Sequence, residues 1–168
     1  IEVPITKTSL IRSPALTTQT TWKTGDPARI INHPLRVPAG IELRIEPGVE
    51  VRFGPKGRLV IEGHLRILGR PLQPVVFTSV SGARWHGLEI RPQASAHLEH
   101  LIIEGTRPNA DAITTTSATL HISQSIWREV AGSALFARDS AITLEGCQFF
   151  EAGVRLENPP AGEPTPIQ

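Results

Sequence analysis

A chain of 168 residues, 39% of them hydrophobic and 20% charged, is long enough for one domain with a buried core and short for two. Its 17 basic and 16 acidic residues leave a formal net charge of +1, which excludes a global field that would draw nucleic acid or an anionic membrane. No apolar run approaches the roughly 20 residues of a membrane-spanning helix, so no membrane insertion is expected.

The sequence begins at Ile1 and contains no Met, which points to a removed initiator or leader and to a secreted, periplasmic or cell-surface setting. Residues 1–21, "IEVPITKTSLIRSPALTTQTT", are rich in Thr, Ser and Pro and lack any regular alternation; an N-terminal arm or cap is expected there. From residue 37 the chain reads "VPAGIELRIEPGVEVRFGPKGRLVIEGHLRILGRP", apolar and charged residues alternating between Gly and Pro corners. Laid along itself this stretch matches at sixteen residues: Leu43, Leu59 and Val75 fall in one column, Ile45, Ile61 and Phe77 in the next. Such short alternating strands at a short period predict the coils of a β-solenoid, each burying its inner face only against its neighbours.

Longer coils follow. Ala96, Leu98, Leu101 and Ile103 align with Leu120, Ile122, Ser125 and Trp127, and these with Ile142, Leu144, Cys147 and Phe149, at spacings of 24 and 22 residues. A second strand keeps step: Leu88 and Ile90, Ile113 and Thr115, Leu135 and Ala137, Val154 and Leu156. These columns are expected to point inward and stack at about 4.8 Å. The lone Cys147 forms no internal disulfide and, on its column, is expected to be buried and inert. Residues 158–168 form a Pro-rich tail that cannot continue a ladder. The prediction is an all-β single domain over residues 22–157, a parallel β-solenoid of about seven coils.

The string Val-Pro-Ala-Gly, Ile-Glu-Pro-Gly, Val-Phe-Thr-Ser and Trp-His-Gly-Leu resembles the repeats of secreted and cell-surface parallel β-helix proteins, over roughly residues 22–157. The resemblance implies a single-stranded, right-handed β-helix of the pectate-lyase-like kind. It leaves activity open, because that fold carries polysaccharide lyases and hydrolases, adhesion modules and proteins without known activity.

The cleaving relatives gather several Asp with basic residues on one outer face. Here only Asp26, Asp111 and Asp139 are present, each at a predicted turn, so no catalytic residue is assigned. In the sixteen-residue register Glu46 and Glu62 share a corner, with Glu99 and Glu145 equivalent to them, and Glu42–Arg58 and Glu50–Arg66 pair across coils. His97 and His121 share an outward column with His100 nearby; two or three imidazoles fall short of a usual metal site, and no metal or cofactor is expected. Trp85, flanked by Arg84 and His86, is a candidate sugar platform, although its alternation with Leu88 and Ile90 points inward, as does Trp127. The Thr run of "ITTTS" (113–117) is not repeated on later coils, which argues against ice binding. These readings favour a non-catalytic structural or binding module that offers a rigid face to a polysaccharide or protein partner. A β-helix lyase or hydrolase, and a subunit stacking end to end into an oligomer, are the alternatives.

Overall fold

The computed structural model describes residues 14–160. Eighteen strands wind as a parallel β-solenoid, three to a coil. The first coil contains β1 (Thr20–Trp22), β2 (Arg29–Ile31) and β3 (Pro34–Val37); the second β4 (Glu42–Ile45), β5 (Glu50–Phe53) and β6 (Arg58–Ile61). Next come β7 (His64–Leu68), β8 (Val75–Ser79) and β9 (Leu88–Ile90), then β10 (Ser95–Glu99), β11 (Leu101–Glu104) and β12 (Ile113–Thr116). The last two coils hold β13 (Thr119–Ser123), β14 (Ile126–Arg128) and β15 (Leu135–Arg138), and β16 (Ala141–Glu145), β17 (Gln148–Phe149) and β18 (Val154–Glu157). Every third strand pairs in parallel, giving three six-stranded sheets: sheet I from β1 to β16, sheet II from β2 to β17, sheet III from β3 to β18. The eighteen strands make six coils, β1 and β16 being about five turns apart, where seven coils were predicted.

The miscount has a geometric cause. Leu43, Leu59 and Val75 do all point inward, but they lie on β4, β6 and β8 of three different sheets. A shift of sixteen residues moves along two sides of the triangular coil instead of once around it. The residue that stacks on Leu43 is Leu65, twenty-two positions on. In the second half the expected columns are the observed ones: Ala96 lies beside Leu120 and Leu120 beside Ile142, while Ile103 lies beside Trp127 and Trp127 beside Phe149. Leu88, Ile113, Leu135 and Val154 form the matching ladder of sheet III.

The core is a stack of these inward ladders. Val37, Leu43, Ile45, Val51, Phe53, Leu59 and Ile61 are fully buried, as are their successors through Trp127 and Leu135. The inward Ser125 Oγ accepts from the Leu101 N–H (3.1 Å) and donates to the Ser123 carbonyl (2.9 Å), whereas the buried Thr106 hydroxyl has no partner among the described residues.

The corners explain several polar residues. Sheets I and II meet at single left-handed residues, His100 (φ 46°), Gln124 (φ 50°) and Gly146 (φ 59°), stacked coil on coil. Sheet III turns into sheet I through Ser117 (φ 48°) and Asp139 (φ 49°), and Asn158 (φ 49°) takes the same conformation after β18. Each non-Gly residue so placed costs of order 1 kcal/mol of strain, which the ladder bonds on either side must hold. His100 donates its N–H to Ser123 and Asp139 to Glu157, at 3.1 Å each. At Gly63, between β6 and β7, a Cβ would collide with the carbonyl oxygens of Pro38 and Ile41 in the preceding coil.

The two ends differ. At the N-terminal end Ala15 bridges Arg36 of β3, Leu16 packs on the core, and the Arg29 guanidinium lies 5.3 Å from the Trp22 ring centre. Most of the predicted arm, residues 1–13, and residues 161–168 of the predicted tail lie outside the described residues. At the C-terminal end Ile142, Leu144, Cys147 and Phe149 are only partly covered. Cys147 is therefore half-buried, where full burial is expected from its column. Desolvation still pushes its thiol above the usual range. Labelling of the native protein by a thiol reagent at neutral pH should be slower than labelling of urea-unfolded chain by on the order of tenfold. Equal rates would contradict an inward thiol.

Candidate functional site

Alternation along sheet I sends every second side chain outward. The middle outward column runs Thr21, Arg44, Arg66, His97, His121 and Thr143, each level with the next on the neighbouring strand. The His97 and His121 rings stack face to face, 5.0 Å apart and 6° from parallel. Like charges on adjacent strands repel, so the Arg44–Arg66 pair needs solvent or an outside partner. Among the described residues neither guanidinium forms an ion pair.

Acidic residues flank this column. On its C-terminal side Glu46 follows the end of β4, and Leu68, Glu99, Ser123 and Glu145 stand level with one another on the later strands. On the other side lie Glu42, His64, Ser95 and Thr119, with His64 Nδ1 2.7 Å from Ser95 Oγ. At the corner where β4 and β7 leave sheet I, an open cleft of about 380 Å³ is lined by Arg44, Glu46, Pro47, Leu68, Gly69, Arg70 and Glu99. Guanidiniums and carboxylates thus face a common space, a donor and acceptor set suited to vicinal hydroxyls.

Glu62 does not belong to that corner. It directly follows β6 of sheet III, where Arg36 and Arg91 each reach one carboxylate oxygen at 2.7 Å. The Arg36 contact, above all, holds its carboxyl below the usual carboxylate range. The chain of contacts continues from Arg91 through Glu89 (3.0 Å) to Arg58 (2.8 Å). The cross-coil pairs expected for Glu42 and Glu50 are likewise absent: Glu42 lies level with His64, Glu50 pairs with Arg52, and Arg58 with Glu89.

Trp85 is fully buried and offers no platform to a sugar. Its ring lies 4.0 Å from that of Phe53 at 11°, and its Nε1 donates to the Glu104 carbonyl (2.8 Å). Arg84 is held by the Thr106 carbonyl at 3.1 Å. His86 Nε2 lies 2.9 Å from an Arg107 nitrogen, and burial, then Arg107 and Arg58, push its pKa down, so it accepts from Arg107 as a neutral imidazole. Arg84 and His86 thus face sheet III's corner, away from the cleft.

The three Asp do not converge. Asp26 accepts from the Lys23 N–H and from Arg29, both at 2.9 Å, and Asp111 faces Arg155 at 3.6 Å. Asp111 precedes β12 and Asp139 follows β15, so four strand residues, about 13 Å of rise, separate them along sheet III. Among the described residues no three His, Cys, Asp or Glu side chains are grouped to hold a metal. His97 and His121 come together, while His100 is spent on the corner.

Arg44, Arg66 and Arg70 went unmarked in the sequence because the sixteen-residue register gave Arg66 to Glu50. A signal was present: the apolar–basic–apolar triplets Leu43-Arg44-Ile45, Leu65-Arg66-Ile67, Ala96-His97-Leu98 and Leu120-His121-Ile122 name the column outright. Comparison with protein-family models, with characterised proteins and with solved structures finds no match to this chain.

Proposed function

We propose that this protein is a non-catalytic binding module, a right-handed β-helix of the pectate-lyase-like kind from an exported or surface protein, that holds an extended glycan on sheet I. The observation that carries the reading is the cleft bounded by Arg44, Arg70, Glu46 and Glu99, opening beside the unpaired Arg44–Arg66 column. From Arg44 to His121 that column spans three strand spacings, about 14 Å, the scale of a short oligosaccharide. Arg44, Arg66 and Arg70 are offset by Glu42, Glu46, Glu99 and Glu145, so the face would not attract a dense polyanion such as nucleic acid. Hydroxyls with an occasional uronate carboxylate fit it better: carboxylates accept from hydroxyls, and guanidiniums take the uronate in a bidentate contact. With Trp22, Trp85 and Trp127 all buried, hydrogen bonding rather than stacking supplies the affinity.

The enzymatic alternative has one observation behind it. Glu46 and Glu99 line the same cleft, so two carboxylates face a common space, as an acid–base pair would require. Titration calorimetry against uronate-containing and neutral oligosaccharides separates the readings. Binding without new reducing ends or unsaturated products is expected, and Arg44→Ala with Arg66→Ala should weaken it at least about tenfold, or 1.4 kcal/mol, with the melting temperature unchanged. No binding to any glycan, or undiminished binding by the double variant, would sink the proposal. Turnover abolished by Glu46→Gln or Glu99→Gln would establish the enzyme instead.

A further inference from the structure

Two imidazoles continue a column of guanidiniums. Register along sheet I sets Arg44 level with Arg66, Arg66 with His97, and His97 with His121, all at outward positions and about 4.8 Å from strand to strand. The His97 and His121 rings lie 5.0 Å apart and 6° from parallel. As stacked, their nitrogen lone pairs run in separate parallel planes and do not converge on one ion at the roughly 2.0–2.1 Å of a metal–imidazole bond. The pair can instead change its charge, because imidazole is the side chain that gains a proton between about pH 8 and about pH 5. That charge falls on a face close to balance. Arg44, Arg66 and Arg70 stand against Glu42, Glu46, Glu99 and Glu145, three cations to four carboxylates. Two added protons make five cations to four, and the sign of the face reverses.

We propose that this face is an acid-activated uronate site: protonated His97 and His121 extend the Arg44–Arg66 column to four cations, which hold a polyuronate at mildly acidic pH and release it as the pH rises. The inference rests on the glycan reading and adds to it the class of sugar and its regulation. On β7, Arg66 stands beside His97, with His64 one column away; β10 adds Glu99. Beside His121, β13 itself carries only Thr119 and Ser123, and β16 brings Thr143, with Glu145 one column away. Two imidazoliums on adjacent strands, with Arg66 beyond them, repel one another unless an anion lies across them. Glu99 and Glu145 border the pair on one side only. The other flank, Ser95 and Thr119, is uncharged, so a ligand carboxylate has a free approach from there. A ligand that prefers the charged rings takes up protons as it binds, and protons in turn tighten its binding. Carboxylates stay ionised above about pH 5, so the pH dependence belongs to the protein and not to the sugar.

Titration calorimetry with an oligouronate and its carboxyl-reduced counterpart, at about pH 7.5 and about pH 5.5, tests the switch. The wild-type protein should bind the oligouronate at least about tenfold tighter at the lower pH, the effect of one charge-assisted contact, and the reduced sugar equally at both. His97→Gln with His121→Gln should match the wild type at the higher pH and gain less than about threefold at the lower. His64→Gln, one column away, should keep the full gain. At about pH 6.5, titrations in buffers of different ionisation enthalpy should show proton uptake on binding by the wild type and none by the double variant. Melting curves at both pH values check folding; His121→Gln alone, with part of the gain lost, is the substitute if the double variant is unfolded. Equal oligouronate affinity at the two pH values, tighter binding at the higher one, or a gain that the double variant keeps overturns the switch and leaves the glycan reading standing. No binding to any glycan at either pH overturns both.

Discussion

Leu120→Asp should leave no cooperative unfolding transition. Leu120 is 1% exposed on β13, pressed between Ala96 of β10 and Ile142 of β16. Removing the leucine forfeits about 2–3 kcal/mol of apolar burial. The carboxyl that replaces it finds no donor, since the ladder bonds of both neighbouring strands are already taken, and an unpaired polar group there costs several kcal/mol more even when protonated. The total rivals the 5–15 kcal/mol typical of a whole domain. In a solenoid the damage spreads, because each coil is held only by its neighbours. Thr119→Asp, one position earlier and outward, faces Ser95 and Ala141 and should change stability by less than about 1 kcal/mol. Thermal melts followed by circular dichroism compare the two. If Leu120→Asp melts cooperatively near the wild-type temperature, β13 does not lie as described.

Trp85→Ala should cost about 4 kcal/mol and lower the melting temperature by roughly 8–16 °C. The indole is fully buried on the Phe53 ring and meets the edge of Phe77 at 6.2 Å, so alanine leaves a cavity that the rigid ladders cannot collapse around. It also strips the Glu104 carbonyl of its indole donor. Trp85→Phe keeps most of the volume and loses that bond, which should cost about 1–3 kcal/mol. Trp127 supplies the contrast: it too is fully buried, on Phe149 at 4.6 Å, but its Nε1 has no partner among the described residues. Trp127→Phe should therefore cost less than Trp85→Phe. The reverse order would mean that the Trp85 bond adds nothing.

The sequence determined which residues point inward, because a strand alternates with period two and that alternation survives whatever stacks upon it. It also determined the stacking of the second half. There each coil carries its own signature, Ser125 above Cys147 and Trp127 above Phe149, so only one alignment superposes them. What it left to the tertiary structure was the identity of neighbours in the first half. Leu43, Val51 and Leu59 are eight residues apart on three successive sides of the triangle, and a shift of eight or sixteen superposes them as well as the true turn of twenty-two does. Only closure of the coil, forced at the short β6–β7 corner where Gly63 packs beneath the Pro38 and Ile41 carbonyls, decides that Leu65 is the residue above Leu43. The surface follows from that decision. It sends Glu62 to Arg36 and Arg91, sets Arg66 on Arg44, and brings Glu46 and Glu99 to one cleft, contacts that no single strand's pattern encodes because each joins side chains from different coils.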